Sequence, residues 1–234
     1  HRINRRQRQM CIRDRNRCFS KLHAWFVPMK YYINYLFIAL FALAVNTEDV
    51  EYRLGFDYRI VENPLPVKKD GVVEIVETFW YGCNACYNFD APVNSWAAKL
   101  NDDVKFSKAP VAWASVHELH ATLYYTIEAL NLDPSVHSAV FVSMHKEGNF
   151  LSSEKSIKDF LEGFGIAPEV TDKYLNSFTV KQRVSRAKKN ARQLKVNSTP
   201  VMIVDGKYII ESRGSYQRIL DVVDYVIELQ RPNS

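Results

Sequence analysis

Val72-Val73-Glu74-Ile75-Val76-Glu77-Thr78-Phe79-Trp80-Tyr81-Gly82-Cys83-Asn84-Ala85-Cys86-Tyr87 is the stretch that decides the fold. Residues Val72 to Phe79 are rich in β-branched and aromatic side chains and read as a buried central strand. From Cys83 the spacing turns helical, with apolar residues at Tyr87, Phe89, Val93, Trp96, Ala97 and Leu100, and Pro92 inside the run as an expected kink. A thiol in the first turn of a helix faces unpaired backbone N–H groups and the positive end of the helix dipole. Its thiolate is favoured, and it becomes a nucleophile near neutral pH. A second cysteine one turn on can close or open a disulfide with it by exchange with another protein.

Other uses of a CxxC pair fit less well. Half of a zinc site needs two further ligands, and the other cysteines, Cys11 and Cys18, fall in a segment read below as absent from the mature protein, so no metal is expected. An inert bridge usually closes a longer loop, because linking near neighbours removes little unfolded-state entropy. His117 and His120 lack the HExxH spacing and read as solvated or hydrogen-bonded residues.

The chain has 234 residues, 47% hydrophobic, enough for one sizeable core or a core with an inserted subdomain. Its formal charge of +5 is misleading. Residues 1–44 hold nine Lys or Arg and one acid, Asp14, so the remainder holds 22 basic and 25 acidic residues, a net charge of −3. That excludes a nucleic-acid footprint, and the basic run Arg186 to Lys195 reads as the solvated face of an amphipathic helix with Val184, Ala187, Ala191 and Leu194 inward. Residues 29–44 read as a signal peptide: Met29-Lys30 is cationic, Tyr31 to Phe41 is mostly apolar, and Ala42-Leu43-Ala44 offers a cleavage site after Ala44. The apolar run is short for a retained membrane anchor. Residues 1–28, Arg-rich and without periodicity, read as an extension outside the fold. Export accords with a dithiol that must be kept oxidised.

The remaining elements follow from periodicity. Tyr52 to Val61 reads as a short edge strand broken by Asn63-Pro64-Leu65-Pro66, and Val104 to Ala109 as a second strand, parallel to Val72 to Phe79. Four helical stretches follow: Val116 to Leu130, Ser135 to Lys146, Ser156 to Phe164 and Pro168 to Ser177. A helix over Thr179 to Lys195, strands Val201 to Val204 and Lys207 to Glu211 around the Asp205-Gly206 turn, and a closing helix Tyr216 to Leu229 complete the chain.

Two segments, Glu77 to Tyr87 and Ser198-Thr199-Pro200-Val201-Met202-Ile203-Val204-Asp205-Gly206-Lys207-Tyr208, resemble the active-site and cis-proline segments of the DsbA family, periplasmic thiol:disulfide oxidoreductases of Gram-negative bacteria. The resemblance covers residues from about 50 to 230. It implies an α/β thioredoxin fold over 45–110 and 178–234 with an inserted α-helical subdomain over 111–177. It implies that Cys83 forms the mixed disulfide with substrate and Cys86 resolves it. Thr199 and a cis Pro200 would lie against the dithiol and receive an extended substrate chain. The aromatic cluster Phe79, Trp80, Tyr81 and Tyr87 reads from its residues as partly core and partly rim of the dithiol, with Trp80 and Tyr81 as apolar surface for unfolded substrates. Glu77 matches a buried acid of the family, suited to relay a proton to or from Cys86. The implied partners are folding secreted proteins and a DsbB-type membrane quinone-linked oxidase. The dithiol is itself the redox centre, so no dissociable cofactor is expected, and the chain is expected to be a monomer.

One departure bears on tuning. The family usually has Pro-His between the cysteines, where this chain has Asn84-Ala85. Without the histidine a donor near the Cys83 sulfur is lost, so Cys83 is expected to be less acidic than in the usual member and the protein a weaker oxidant. A reductase or isomerase, or a peptide-binding chaperone-like module with a secondary dithiol, are the alternatives.

Overall fold

The computed structural model describes residues 52–231 apart from 69 and 212; the signal-peptide segment 29–44 and the stretch 1–28 lie outside the described residues. Five strands form one sheet: β1 (Arg59–Ile60), β2 (Val73–Phe79), β3 (Val104–Pro110), β4 (Val201–Val204) and β5 (Tyr208–Glu211), in the order β1-β5-β4-β2-β3. Strands β2 and β3 run parallel, with Glu77 opposite Lys108, and the other three pairings are antiparallel. The helices are α1 (Asn84–Ala97), α2 (Ser115–Ala129), α3 (Ser135–His145), α4 (Glu154–Glu162), α5 (Pro168–Leu175), α6 (Phe178–Gln193) and α7 (Tyr216–Gln230).

Both faces of the sheet are covered, which is why its central strands are apolar on both sides. Val73 and Ile75 of β2 join Met202, Val204, Tyr208 and Ile210 against Phe89 and Val93 of α1 and the inner stripe of α7, Ile219 to Ile227. The alternate residues Val76, Val201, Ile203 and Ile209 face the other way, against Ala191 of α6 and Leu194 just past its end. Period-two alternation sends Glu77 to the α1 side together with Ile75. A third core gathers Phe79, Tyr81 and Cys86 with side chains of α2 to α6, including Leu123, Ile127, Phe141, Ile157, Leu161, Leu175 and Val180. The helices that follow β3 thus share their interior with the turn that carries the dithiol. Each fully buried large side chain in these clusters contributes about 1.5–3 kcal/mol relative to leaving it in water.

Local signals set the boundaries. Ser153, Ser177 and Ser215 cap α4, α6 and α7 by accepting a backbone N–H. Helix α6 stops at Gln193, short of Lys195, because Lys195 takes a left-handed conformation (φ 54°) and Val196 N–H reaches back to Ala191 O at 2.9 Å. The largest departure from expectation is at the first strand, which spans only Arg59–Ile60 rather than Tyr52 to Val61. Residues 55–57 form a turn instead: Gly55 has φ 84°, and the buried Asp57 carboxylate accepts Arg53 N–H at 2.9 Å and pairs with Arg218. That local hydrogen bonding outcompetes the extended chain.

The β4–β5 hairpin turns at Asp205-Gly206, where Gly206 has φ 58° and a Cβ would come within 2.7 Å of Leu65 Cβ and 3.0 Å of Leu65 O. Gly206→Ala should therefore destabilise the protein by about 1–3 kcal/mol, read as a lower denaturant midpoint at unchanged m-value.

Candidate active site

Cys83 is the N-cap of α1. It sits in extended backbone (φ −86°, ψ 117°), and its sulfur accepts the Cys86 backbone N–H at 3.4 Å, the role that a serine or aspartate oxygen plays at an ordinary helix start. The first turn of α1 contains no acid, so no carboxylate competes with sulfur for the positive end of the helix. The Cys83 sulfur is also 3.5 Å from Thr199 O, and the Thr199–Pro200 peptide is cis. Sequence-distant segments therefore meet at one atom.

The two sulfurs differ sharply. Cys83 is half-buried and its pKa is lowered to about 5. The Cys86 thiol, donating to it, is the largest cause; burial opposes, and the Thr199 hydroxyl and the Cys86 and Ala85 backbone N–H groups add to the lowering. Cys86 is fully buried, and burial, then the hydrogen bond to Cys83 and its charge, push its pKa far up. Exposed Asn84 and half-buried Ala85 complete the turn. Both cysteines are free thiols, so this is the dithiol form.

Glu77 is buried, and burial is the first cause of its raised pKa; Lys108 opposes this, while Asp90 and the Cys83 charge add to it. Lys108 Nζ lies 3.2 Å from Glu77 Oε2 and 2.7 Å from Asp90 Oδ1, and Ser138 Oγ donates to Asp90 Oδ2 at 2.8 Å. Burial works against the charge on Lys108, but the two carboxylates outweigh it and its pKa rises. Sequence reasoning singled out Glu77 and missed Lys108. The signal was present: Lys108 is two residues after Phe106 and four after Val104, which both pack toward α1 and α7, so alternation puts its side chain on their face. Asp90 and Ser138 carried no comparable mark.

Trp80 is partly exposed, with Nε1–H donating to His120 Nδ1 at 3.0 Å and its ring 4.4 Å from that of His117. His120 is buried and bonds through Nε2 to the carbonyls of Phe150 and Leu151, so of the readings for this pair it takes the hydrogen-bonded one. No metal-binding group occurs among the described residues. A Cβ at Gly82 would meet the Trp80 ring at 2.5 Å, so any other residue there would have to displace the indole. Tyr81 corrects the expectation of a substrate-facing rim: it is fully buried, its hydroxyl 2.5 Å from His137 Nδ1 and its ring packed on Phe79 and Phe141. The alternation that turns Trp80 outward turns Tyr81 into the third core.

A dithiol at the start of the helix after a central strand, with an acidic outer sulfur, a buried inner one and a cis-proline beside it, defines a thiol:disulfide oxidoreductase. A sequence model of the family described as DSBA-like thioredoxin domain matches residues 76–220. The thiol:disulfide interchange protein DsbA of Azotobacter vinelandii is 37% identical over 198 residues, covering 82% of this chain and 92% of that protein. The protein of the same name from Pseudomonas aeruginosa is 36% identical over 195 residues, with 82% and 92% covered. The crystal structure of Pseudomonas aeruginosa DsbA superposes with a TM-score of 0.73 at 36% identity, over 77% of this chain and 95% of that one. The chain belongs to the DSBA-like thioredoxin domain family, and its fold is the thioredoxin fold with a helical insertion.

The pKa asymmetry carries a stability signature. An ordinary cysteine titrates near 8.5, at about which the unfolded chain ionises. With Cys83 lowered to about 5, ionisation stabilises the folded dithiol fully above the unfolded pKa, and that stabilisation is lost as pH falls through the folded one. Cys86, raised, opposes only above about pH 8.5, where the unfolded chain would ionise it. The disulfide form has neither group. The melting temperature of the reduced protein minus that of the oxidised protein should climb from about pH 5 to about pH 8; a difference flat with pH would contradict the thiolate.

Proposed function

We propose that the protein donates its Cys83–Cys86 disulfide to folding secreted proteins in the periplasm, after export directed by residues 29–44, and is reoxidised by a DsbB-type membrane quinone-linked oxidase. The observation that carries the direction of transfer is the contrast between Cys83, lowered to about 5, and the buried Cys86. A substrate thiolate attacks the Cys83 sulfur; the Cys83–Cys86 bond breaks, and its electron pair goes to Cys86, which takes up a proton because its thiolate is disfavoured. A second substrate thiolate then attacks the substrate sulfur of the mixed disulfide, and Cys83 departs with the electron pair as a stable thiolate. The substrate gains one disulfide, and the protein is left as a dithiol.

In this reading Glu77, raised by burial and close enough to sense the Cys83 charge, holds or passes the proton that Cys86 gains and later loses on reoxidation. Thr199, beside the Cys83 sulfur, offers backbone to an extended substrate, and half-exposed Trp80 gives apolar contact without sequence preference. Asn84 and Ala85 set the tuning: with no charged group in the turn, Cys83 is lowered chiefly by hydrogen bonds, and a redox potential below that of members with Pro-His is expected.

The test is transfer to a reduced, unfolded protein. The oxidised protein should introduce about one disulfide per turnover, Cys83→Ser should abolish transfer, and Cys86→Ser, whose Cys83 thiolate can attack the disulfide of an oxidised protein with no Cys86 to release it, should accumulate a mixed disulfide through Cys83, seen by non-reducing mass analysis. Retained transfer in the Cys83→Ser protein would sink the reading. Glu77→Gln should slow transfer by about tenfold with little change in substrate affinity. Equilibrium against glutathione buffers separates donor from isomerase or reductase: a potential near or above about −150 mV supports donation, and one near about −200 mV or lower reverses the assignment.

A further inference from the structure

Helix α3 reaches the dithiol turn along its whole length. Ser138 near its start donates to Asp90, and Phe141 packs on Tyr81 (ring centroids 5.1 Å) and Tyr87 (6.2 Å). At its last residue, His145 Nε2 lies 2.8 Å from Tyr81 O. A carbonyl only accepts, so Nε2 carries the proton. The same imidazole ring stacks on the Tyr87 ring, centroids 4.9 Å apart and planes within 12°. The next residue, Lys146, sets its ammonium 5.6 Å from the centroid of that ring.

Tyr81 is two residues before Cys83 and Tyr87 is one residue after Cys86. One side chain from the helical insertion therefore holds both ends of the dithiol turn. Within the turn, Cys83 N–H donates to Trp80 O and Tyr87 N–H to Cys83 O, each at 3.0 Å, and the Cys86 N–H donates to sulfur at 3.4 Å. That last contact has an ordinary length for a sulfur acceptor, and since its strength depends on distance and angle, an opening of the turn would weaken it. Phe141 contributes apolar packing that another large side chain could replace. His145 alone among these combines a polar bond to the backbone on one side of the dithiol with a ring contact on the other.

We propose that His145 is a positioning residue for the redox reaction: by tethering the Tyr81 carbonyl and the Tyr87 ring to α3, it keeps the Cys83–Cys86 turn closed enough for the Cys86 N–H to reach the Cys83 sulfur in the dithiol form. The disulfide form has a covalent bond to hold the two sulfurs together and depends less on the tether. His145 therefore favours the dithiol and makes the disulfide a stronger oxidant. It acts through the backbone and does not touch substrate. In a chain whose intervening dipeptide, Asn84-Ala85, brings no imidazole, an imidazole from the insertion supports the turn from outside. The inference rests on Cys83–Cys86 being the redox pair.

The experiment is the glutathione equilibrium of the full protein, with the pH dependence of Cys83 alkylation, for His145→Phe and His145→Gln. Phenylalanine keeps an aromatic face for Tyr87 and loses the donor. Glutamine can still donate an amide N–H to Tyr81 O. In His145→Phe the equilibrium constant for disulfide formation should rise by roughly fivefold, the scale of one ordinary hydrogen bond, and Cys83 alkylation should shift to higher pH. His145→Gln should recover most of both changes, a rescue that loss of packing alone would not give. An unchanged equilibrium and alkylation profile in His145→Phe overturns the proposal. Should that variant not fold, Tyr87→Leu removes the other arm of the tether and should move both readouts in the same direction; no movement overturns the proposal equally. A wild-type protein without any glutathione-dependent equilibrium would instead remove the redox reading beneath it.

Discussion

One contact organises the molecule: the Cys83 sulfur occupying the N-cap of α1 and accepting the Cys86 backbone N–H. A helix start needs an acceptor, and here the acceptor is a sulfur whose pKa is lowered to about 5. Stabilising the helix and stabilising the thiolate are the same interaction, so redox state and helix integrity are linked. The surrounding structure serves this arrangement. The central strand delivers the turn, the cis-proline segment brings Thr199 to the sulfur, and the buried thiol of Cys86 lies beneath.

The core that packs behind the dithiol is built mainly from helices far along the chain. Phe79, Tyr81 and Cys86 belong to a cluster completed by α2 to α6, and the buried Glu77 and Asp90, bridged by the half-buried Lys108, are tied to α3 through Ser138. The helices that follow β3 thus set both burial and hydrogen bonding around the dithiol. Low dielectric around Cys86 and Glu77 is what drives their pKa values upward, and that environment comes largely from this packing.

Much of the architecture was legible because each element carries its own period. The strands Val201–Val204 and Val73–Phe79 and the helix beginning at Tyr216 fall within a residue of where alternation and helical spacing put them. The cysteines, Glu77 and the Thr199-Pro200 pair were legible as motif residues. The order of strands in the sheet is a tertiary property that no local pattern encodes. Tyr81 was misplaced because aromatic content beside a reactive site suggests a binding rim, whereas side-chain direction decides, and it points inward. Asp90 looks in sequence like an ordinary surface charge, and alternation gives Lys108 a face but no partner. They become an ion pair shielded from solvent only when register and helix phase bring them together.

The parallel pairing of β2 with β3 places Lys108 opposite Glu77. Because side chains alternate along a strand, a single added or deleted residue within β3 would send Lys108 to the α6 side and leave Glu77 facing apolar neighbours without a cation. The same change in the loop over 98–103 leaves the phase of the strand free to reset. Tolerance to length variation should therefore fall abruptly at Val104. An inventory of natural or engineered insertions in this region would map the charge network beneath the dithiol without any redox chemistry being done.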